Sequence, residues 1–171
     1  MNPESQHFEW QVMRHLAAGF NVARWILKND QDAEDVVQDS VVKAYQAFPR
    51  FKGADAKPWF LKIVRNGCFR ILERSKNRAI EEHPDDLNAL WCVADPNDPE
   101  AQLLKKADGD TVRCAIEALP DAFREVIVLR EFEQLSYAEI SDIVGCPAGT
   151  VMSRLSRARA LLAISLRTAN L

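Results

Sequence analysis

The stretch Leu135-Ser-Tyr-Ala-Glu-Ile-Ser-Asp-Ile-Val-Gly-Cys-Pro-Ala-Gly-Thr-Val-Met-Ser-Arg-Leu-Ser-Arg-Ala-Arg159 decides how this chain folds. It reads as two short amphipathic helices joined by a tight turn. Ser136 and Glu139 form a capping box, in which the hydroxyl and the carboxylate satisfy backbone amides left open at a helix start. Ile140, Ile143 and Val144 supply one apolar stripe, Gly145 supplies the permissive backbone that ends the helix, and Pro147 bars its continuation. Thr150, a residue favoured at the N-cap, is expected to open the second helix, whose Val151, Leu155, Ala158 and Leu162 recur at helical spacing as a buried face. Opposite lie Ser153, Arg154, Ser156, Arg157 and Arg159, with no acid among them. The pattern is that of a helix-turn-helix, whose second helix fits the DNA major groove and whose arginines can reach guanine or phosphate. The alternative is a surface helical hairpin with solvated arginines.

Outward from this stretch, charge is distributed in blocks. The chain of 171 residues has a net charge of −3, which looks unsuited to nucleic acid until it is divided. Lys57 to Arg78 holds seven basic residues against Glu73 alone, and Pro147 to the end holds four arginines and no acid. Between them, Glu81 to Asp110 holds nine acids against Lys105 and Lys106. Local field, not total charge, governs contact with phosphates, so overall acidity does not exclude DNA. It does imply weak non-specific affinity and dependence on a partner.

The first block, roughly residues 5 to 78, reads as helical throughout. Phe8, Val12, Leu16 and Phe20 form an i+4 ladder that Leu27 continues, and Asn29 and Asp30 interrupt it. Asp32 is an expected N-cap for a helix to Phe48, with Glu34 and Asp35 favoured near its start by the helix dipole, and Val36, Val37, Val41, Ala44, Tyr45 and Phe48 as its apolar face. Pro49 to Ala56 is a loop. Pro58 suits the first turn of a third helix that carries Trp59, Phe60, Ile63, Val64 and Ile71 inward and Lys62, Arg65, Asn66, Arg70 and Arg74 outward, a second candidate DNA surface.

From Ala79 to about residue 109, Pro84, Pro96 and Pro99 with the clustered acids make an acidic linker the natural reading, with Leu90 and Trp91 its bulky apolar pair. Asp110 or Thr111 is expected to cap a helix through Leu119. Pro120-Asp121 then restarts one to about Glu133, with Phe123, Val126, Ile127 and Val128 as core. No strand pattern is visible, so the fold class is all-α: two small helical domains, residues 1–78 and 110–171, joined by a flexible acidic linker, 79–109.

Other functions find little support. Cys68, Cys92, Cys114 and Cys146 are scattered singly, and His7, His15 and His83 form no cluster, so neither a disulfide framework nor a metal site is expected. There is no Gly-rich phosphate loop and no nucleophile–base motif, so no cofactor and no enzymatic activity are expected. No apolar run is long enough to span a bilayer, and the first residues lack the blocks of a signal peptide, so no membrane insertion and a cytoplasmic location are expected.

Four co-linear motifs now carry a family resemblance. They are Asp32-Ala-Glu-Asp-Val-Val-Gln-Asp-Ser-Val-Val-Lys-Ala-Tyr45, Trp59-Phe-Leu-Lys-Ile-Val-Arg-Asn66, Leu119-Pro-Asp-Ala-Phe-Arg-Glu-Val-Ile-Val-Leu-Arg-Glu131, and the helix-turn-helix itself. In this order and spacing they closely resemble conserved regions 2 and 4 of bacterial sigma-70-type sigma factors of the extracytoplasmic-function (ECF) group. The resemblance implies a factor that binds core RNA polymerase and directs promoter-specific initiation, the N-terminal domain recognising and melting the −10 element and the C-terminal domain binding −35.

The resemblance also distributes roles among residues. Glu34, Asp35, Gln38 and Asp39 would meet the β′ coiled coil of the polymerase, whose β flap is a further expected contact. An acidic helix face is what a basic partner surface could read. Phe51, Lys52 and Lys57 belong to the segment similar to that in which the family captures a flipped −10 base, and Lys62, Arg65, Asn66, Arg70 and Arg74 to the helix facing promoter DNA. Opening would then follow from binding one strand better than the duplex, with no nucleotide hydrolysis by the factor itself. Thr150, Ser153, Arg154 and Arg157 match positions used at −35, and Arg159 a phosphate contact. The linker is expected to thread a basic channel of the polymerase, and an anti-sigma factor is an expected partner. Three residues depart from the family pattern: Arg70 stands where an acid is frequent, Gly67 where a larger apolar residue is usual, and Met152 where an arginine is common.

Two readings from other classes compete. A stand-alone repressor or activator would bind duplex DNA without polymerase but would usually need a dimer interface or sensor domain. A sigma mimic that sequesters an anti-sigma partner would keep the protein-binding faces and could dispense with Ser153 and Arg157.

Overall fold

In the computed structural model, residues 3–82 and 109–169 are described. Every element among them is helical, as the absence of period-2 patterning predicts. The chain divides into two compact units, Met1–Ala89 and Leu90–Leu171. The reading of 79–109 as a linker falls mostly outside the described residues.

The first unit contains α1 (Pro3–Gln11), α2 (Leu16–Leu27), α3 (Asp30–Ala47) and α4 (Ala56–Glu82). The last three pack against one another pairwise. The expected ladder from Phe8 to Leu27 is broken by a 3-10 turn at Met13–His15. This turn changes the helical register, so Phe8 and Val12 are buried while Leu16, Phe20 and Leu27 are only half-buried, and Gly19, Val22, Ala23 and Ile26 take the core positions of α2. Lys28 ends α2 in the left-handed conformation at φ 59°.

Asn29, not Asp32, caps α3: its side chain accepts the Asp32 backbone N–H at 2.9 Å. Asp32 therefore sits in the first turn, where the dipole favours its charge. Ala33, Val36, Val37, Ser40 and Ala44 form the buried face, whereas Tyr45, expected inside, is 52% exposed. A 3-10 turn at Phe48–Arg50 leads into the loop before α4. On α4, Phe60, Leu61, Val64 and Cys68 are fully buried, while Trp59, Ile63 and Ile71 are half-buried. The helix continues past Ala79 to Glu82, into the segment read as linker.

The second unit contains α5 (Gly109–Ala118), α6 (Asp121–Ile127), α7 (Tyr137–Val144) and α8 (Ala148–Ala169), with α8 packed against the other three. α5 starts at Gly109, so Asp110 and Thr111 lie in its first turn instead of capping it. Phe123, Val126, Ile127 and Val128 are core residues. After Ile127 the helix widens into a π-helical turn, Val128–Phe132. Within this turn Arg130 donates to the Leu135 carbonyl at 2.7 Å and lies over the Tyr137 ring, pinning the start of α7.

Candidate nucleic-acid interface

The geometry of the second unit begins at the start of α7. The Ser136 backbone N–H donates to Glu139 Oε2 at 2.7 Å, and the Glu139 N–H donates to Ser136 Oγ at 3.3 Å, completing the capping box. Gly145 adopts φ 74°, a conformation that favours glycine because it has no Cβ. Ser141 stitches the turn by donating from its hydroxyl to the Cys146 carbonyl. α8 starts three residues earlier than a Thr150 cap implies, with the Pro147 carbonyl accepting the Thr150 and Val151 N–H groups at 2.9 and 3.1 Å. Thr150 is thus inside the first helical turn, not its cap.

The inner face of α8 is as its spacing predicts, with Val151, Leu155, Ala158 and Leu162 all buried. Its outer face is less uniform than a row of arginines implies. Arg154 Nη1 lies 3.5 Å from Oε1 of Glu125, a carboxylate only 2% exposed, and Arg159 Nη2 donates to Glu131 Oε1 at 2.7 Å. Glu125 lies on α6 and Glu131 on the π-helical turn, so one ion pair ties α8 to α6 and a second ties it to that turn. Arg157 is half-buried and pairs with no carboxylate among the described residues. Met152 and Ser153 are exposed beside it. Sequence reasoning missed Glu125 and Glu131, because nothing local marks an acid more than twenty residues away as a partner.

In the first unit, Lys62, Asn66, Arg70 and Arg74 recur every fourth residue and are all exposed, forming one polar line along α4. Arg70 Nε donates back to the Asn66 carbonyl at 3.3 Å. Arg65 lies off this line, half-buried with its guanidinium 4.0 Å from the Phe69 ring centroid. In the preceding loop Lys52 is exposed, but Phe51 is packed, its ring 4.7 Å from Trp59 and stacked on Phe48. Asp55 holds the start of α4 by accepting the Lys57 N–H at 2.9 Å. The structure therefore brings Lys62, Asn66, Arg70 and Arg74 together, while Phe51, Lys57 and Arg65 are partly engaged within the unit.

Glu34, Asp35, Gln38 and Asp39 are all exposed on α3, giving a polar face with three carboxylates. Beside them runs an apolar groove between α2 and α3, floored by Met13, Leu16, Phe20, Val37 and Val41 with Glu34 on its rim. The amphipathic reading missed this groove because it assigned Leu16, Phe20, Val37 and Val41 to the core. Among the described residues no group of His, Cys, Asp or Glu could hold a metal ion, and no helix is long and apolar enough to cross a membrane.

Residues 11–78 match the family described as Sigma-70 region 2, and residues 110–162 match Sigma-70, region 4. The RNA polymerase sigma-H factor of Pseudomonas aeruginosa is 34% identical over 162 residues, covering 91% of this chain and 84% of the relative. The ECF RNA polymerase sigma-E factor of Salmonella typhimurium is 37% identical over 134 residues, covering 75% of this chain and 70% of the relative. Among solved structures, the sigma factor RpoE of Bartonella quintana, in complex with the anti-sigma factor NepR, superposes with a TM-score of 0.73 at 27% identity, over 95% of this chain and 98% of that one. CnrH, in complex with the cytosolic domain of CnrY, gives 0.61 at 26% identity, over 96% and 90%. With both regions present in order and relatives matched over most of their length, this chain belongs to the sigma-70 family of RNA polymerase sigma factors, in its ECF group.

Proposed function

We propose that the chain is a two-part promoter reader that works only on core RNA polymerase, with residues 1–78 and 110–171 as its working domains and 79–109 as an acidic linker. The C-terminal helix-turn-helix lays the first turns of α8 into the −35 major groove, with Ser153 and Arg157 toward bases and Thr150 toward the backbone. Arg154 and Arg159 hold α8 in place, with Arg159 near enough to the surface to share a phosphate. The N-terminal domain holds the opened −10 strand along Lys62, Asn66, Arg70 and Arg74, assisted by Phe51, Lys52, Lys57 and Arg65.

The acidic face of α3, Glu34 to Asp39, docks on the β′ coiled coil, and the C-terminal domain meets the β flap. An anti-sigma factor, like the one bound in the RpoE–NepR complex above, would silence the chain by covering these faces. The protein acts in the cytoplasm and catalyses no reaction of its own.

The observation that carries this reading is the pairing of two chemically opposite faces in one chain: an exposed acidic α3 face and an α8 whose Arg157 is held by no carboxylate among the described residues. A run-off assay with purified chain and core polymerase tests it. Promoter-specific transcripts are expected only when both are present. Operator binding without polymerase, or no specific transcript from a genomic promoter library, would overturn it.

A further inference from the structure

We propose that Met152 reads a thymine C5-methyl group in the −35 element, which makes it a specificity-determining residue of this chain. The inference rests on the placement of α8 in the major groove proposed above.

Met152 is 53% exposed although its neighbour Val151 is fully buried. It stands in the first two turns of α8, the part of a recognition helix that meets base edges. The other exposed large apolar residues of this helix, Leu161 and Ile164, lie about 13 Å or more further along it, at the helical rise of about 1.5 Å per residue. They are beyond the reach of the same bases.

A thioether offers no hydrogen-bond donor and only a weak acceptor, so its favourable contacts are apolar and polarisable. On the major-groove edges of the four base pairs the apolar group is the thymine methyl. A methionine held against guanine or cytosine would cover polar edges without satisfying them.

The neighbouring cations do not compete for that place. Arg154 is turned to Glu125 at 3.5 Å and Arg159 to Glu131 at 2.7 Å. Ser153 donates its hydroxyl hydrogen to the Thr150 carbonyl at 3.0 Å and presents an acceptor outward. The reading row is then one apolar contact from Met152, one acceptor from Ser153 and one guanidinium from Arg157.

The test uses holoenzyme assembled from the full chain and core polymerase. A promoter library randomised at −35 is selected with wild type, Met152→Ala and Met152→Arg proteins, and each thymine of the selected element is then replaced by deoxyuridine, which removes only the methyl. With wild type, one such replacement should weaken open-complex formation about fourfold, the ratio equivalent to about 0.8 kcal/mol for one methyl-sized group. Met152→Ala should be indifferent to it, and Met152→Arg should select guanine at that position. The exposed site makes unchanged melting temperatures the expected control. Identical selected bases and identical deoxyuridine sensitivity in wild type and Met152→Ala would overturn the inference while leaving the promoter reading intact. Failure of wild type to enrich any promoter would overturn both.

Discussion

A guanidinium reads a base at full strength only when no carboxylate of its own domain already holds it. By that criterion the arginines of α8 are not equivalent. Arg157→Ala should reduce −35 discrimination by roughly 1–3 kcal/mol, the worth of a bidentate arginine–guanine contact, without changing the melting temperature. Arg154→Ala should instead remove a partner of the buried Glu125 and destabilise the C-terminal unit by about 1–3 kcal/mol. Thermal melts and promoter titrations separate the two. Arg167→Ala, about 15 Å further along the helix, should affect −35 binding less than Arg157→Ala, and equal losses would sink the groove assignment. A second residue-scale prediction concerns Cys68, whose burial pushes its thiol up from 9.0 to about 12, against smaller opposing effects of a backbone hydrogen bond and Arg65. An alkylating reagent at pH 8 should label the exposed Cys114 and spare Cys68 until the protein unfolds. Because the unfolded chain loses the Cys68 proton first, this group's contribution to stability is intact below pH 9 and is lost as pH rises toward 12. Alkaline denaturation of Cys68→Ala should lack that part of the decline.

At the scale of elements, Gly67 shows how a departure from family pattern becomes a packing device. A Cβ there would meet Val36 Cγ1 at 2.9 Å, so the glycine lets α4 approach α3 more closely than an alanine would. The lost helix propensity, about 1 kcal/mol, is offset by that approach. Gly67→Ala should therefore destabilise the first unit by about 1–3 kcal/mol despite better propensity, and Val36→Ala should partly rescue it. Additive losses in a double-mutant cycle would refute the contact. The turn of the helix-turn-helix was legible because Ser136, Glu139, Gly145 and Pro147 each act within a few residues of their own position. The cap of α8 was misread because Thr150 is a favoured cap residue, whereas the structure starts the helix on the Pro147 carbonyl. Faces were legible where helices are regular, as along α8. They were misread where a 3-10 turn changed the register, as between Phe8 and Phe20. The ties from Arg154 to Glu125 and from Arg159 to Glu131 depend on tertiary packing, which no periodicity encodes.

For the whole molecule, the net charge of −3 is the sum of separate surfaces with separate tasks, and this separation makes a strong prediction. The acids of α3 and the arginine of α8 lie in different units, so substitutions in one should not unfold the other or abolish its contacts. Asp35→Lys with Asp39→Lys reverses two exposed charges on the α3 face and should cost core polymerase binding at least tenfold, or about 1.4 kcal/mol, through repulsion of the basic surface it is proposed to meet. Arg157→Ala should still bind core with wild-type affinity, yet support specific initiation more weakly, in keeping with its loss of roughly 1–3 kcal/mol of discrimination. Mixed with wild type at limiting core, it should then act as a competitor that lowers specific transcription in proportion to its share, whereas the α3 variant should have no effect in the same mixture. If Arg157→Ala also lost core binding, α8 would be serving the polymerase and not the promoter, and the division of labour between the two units would have to be redrawn.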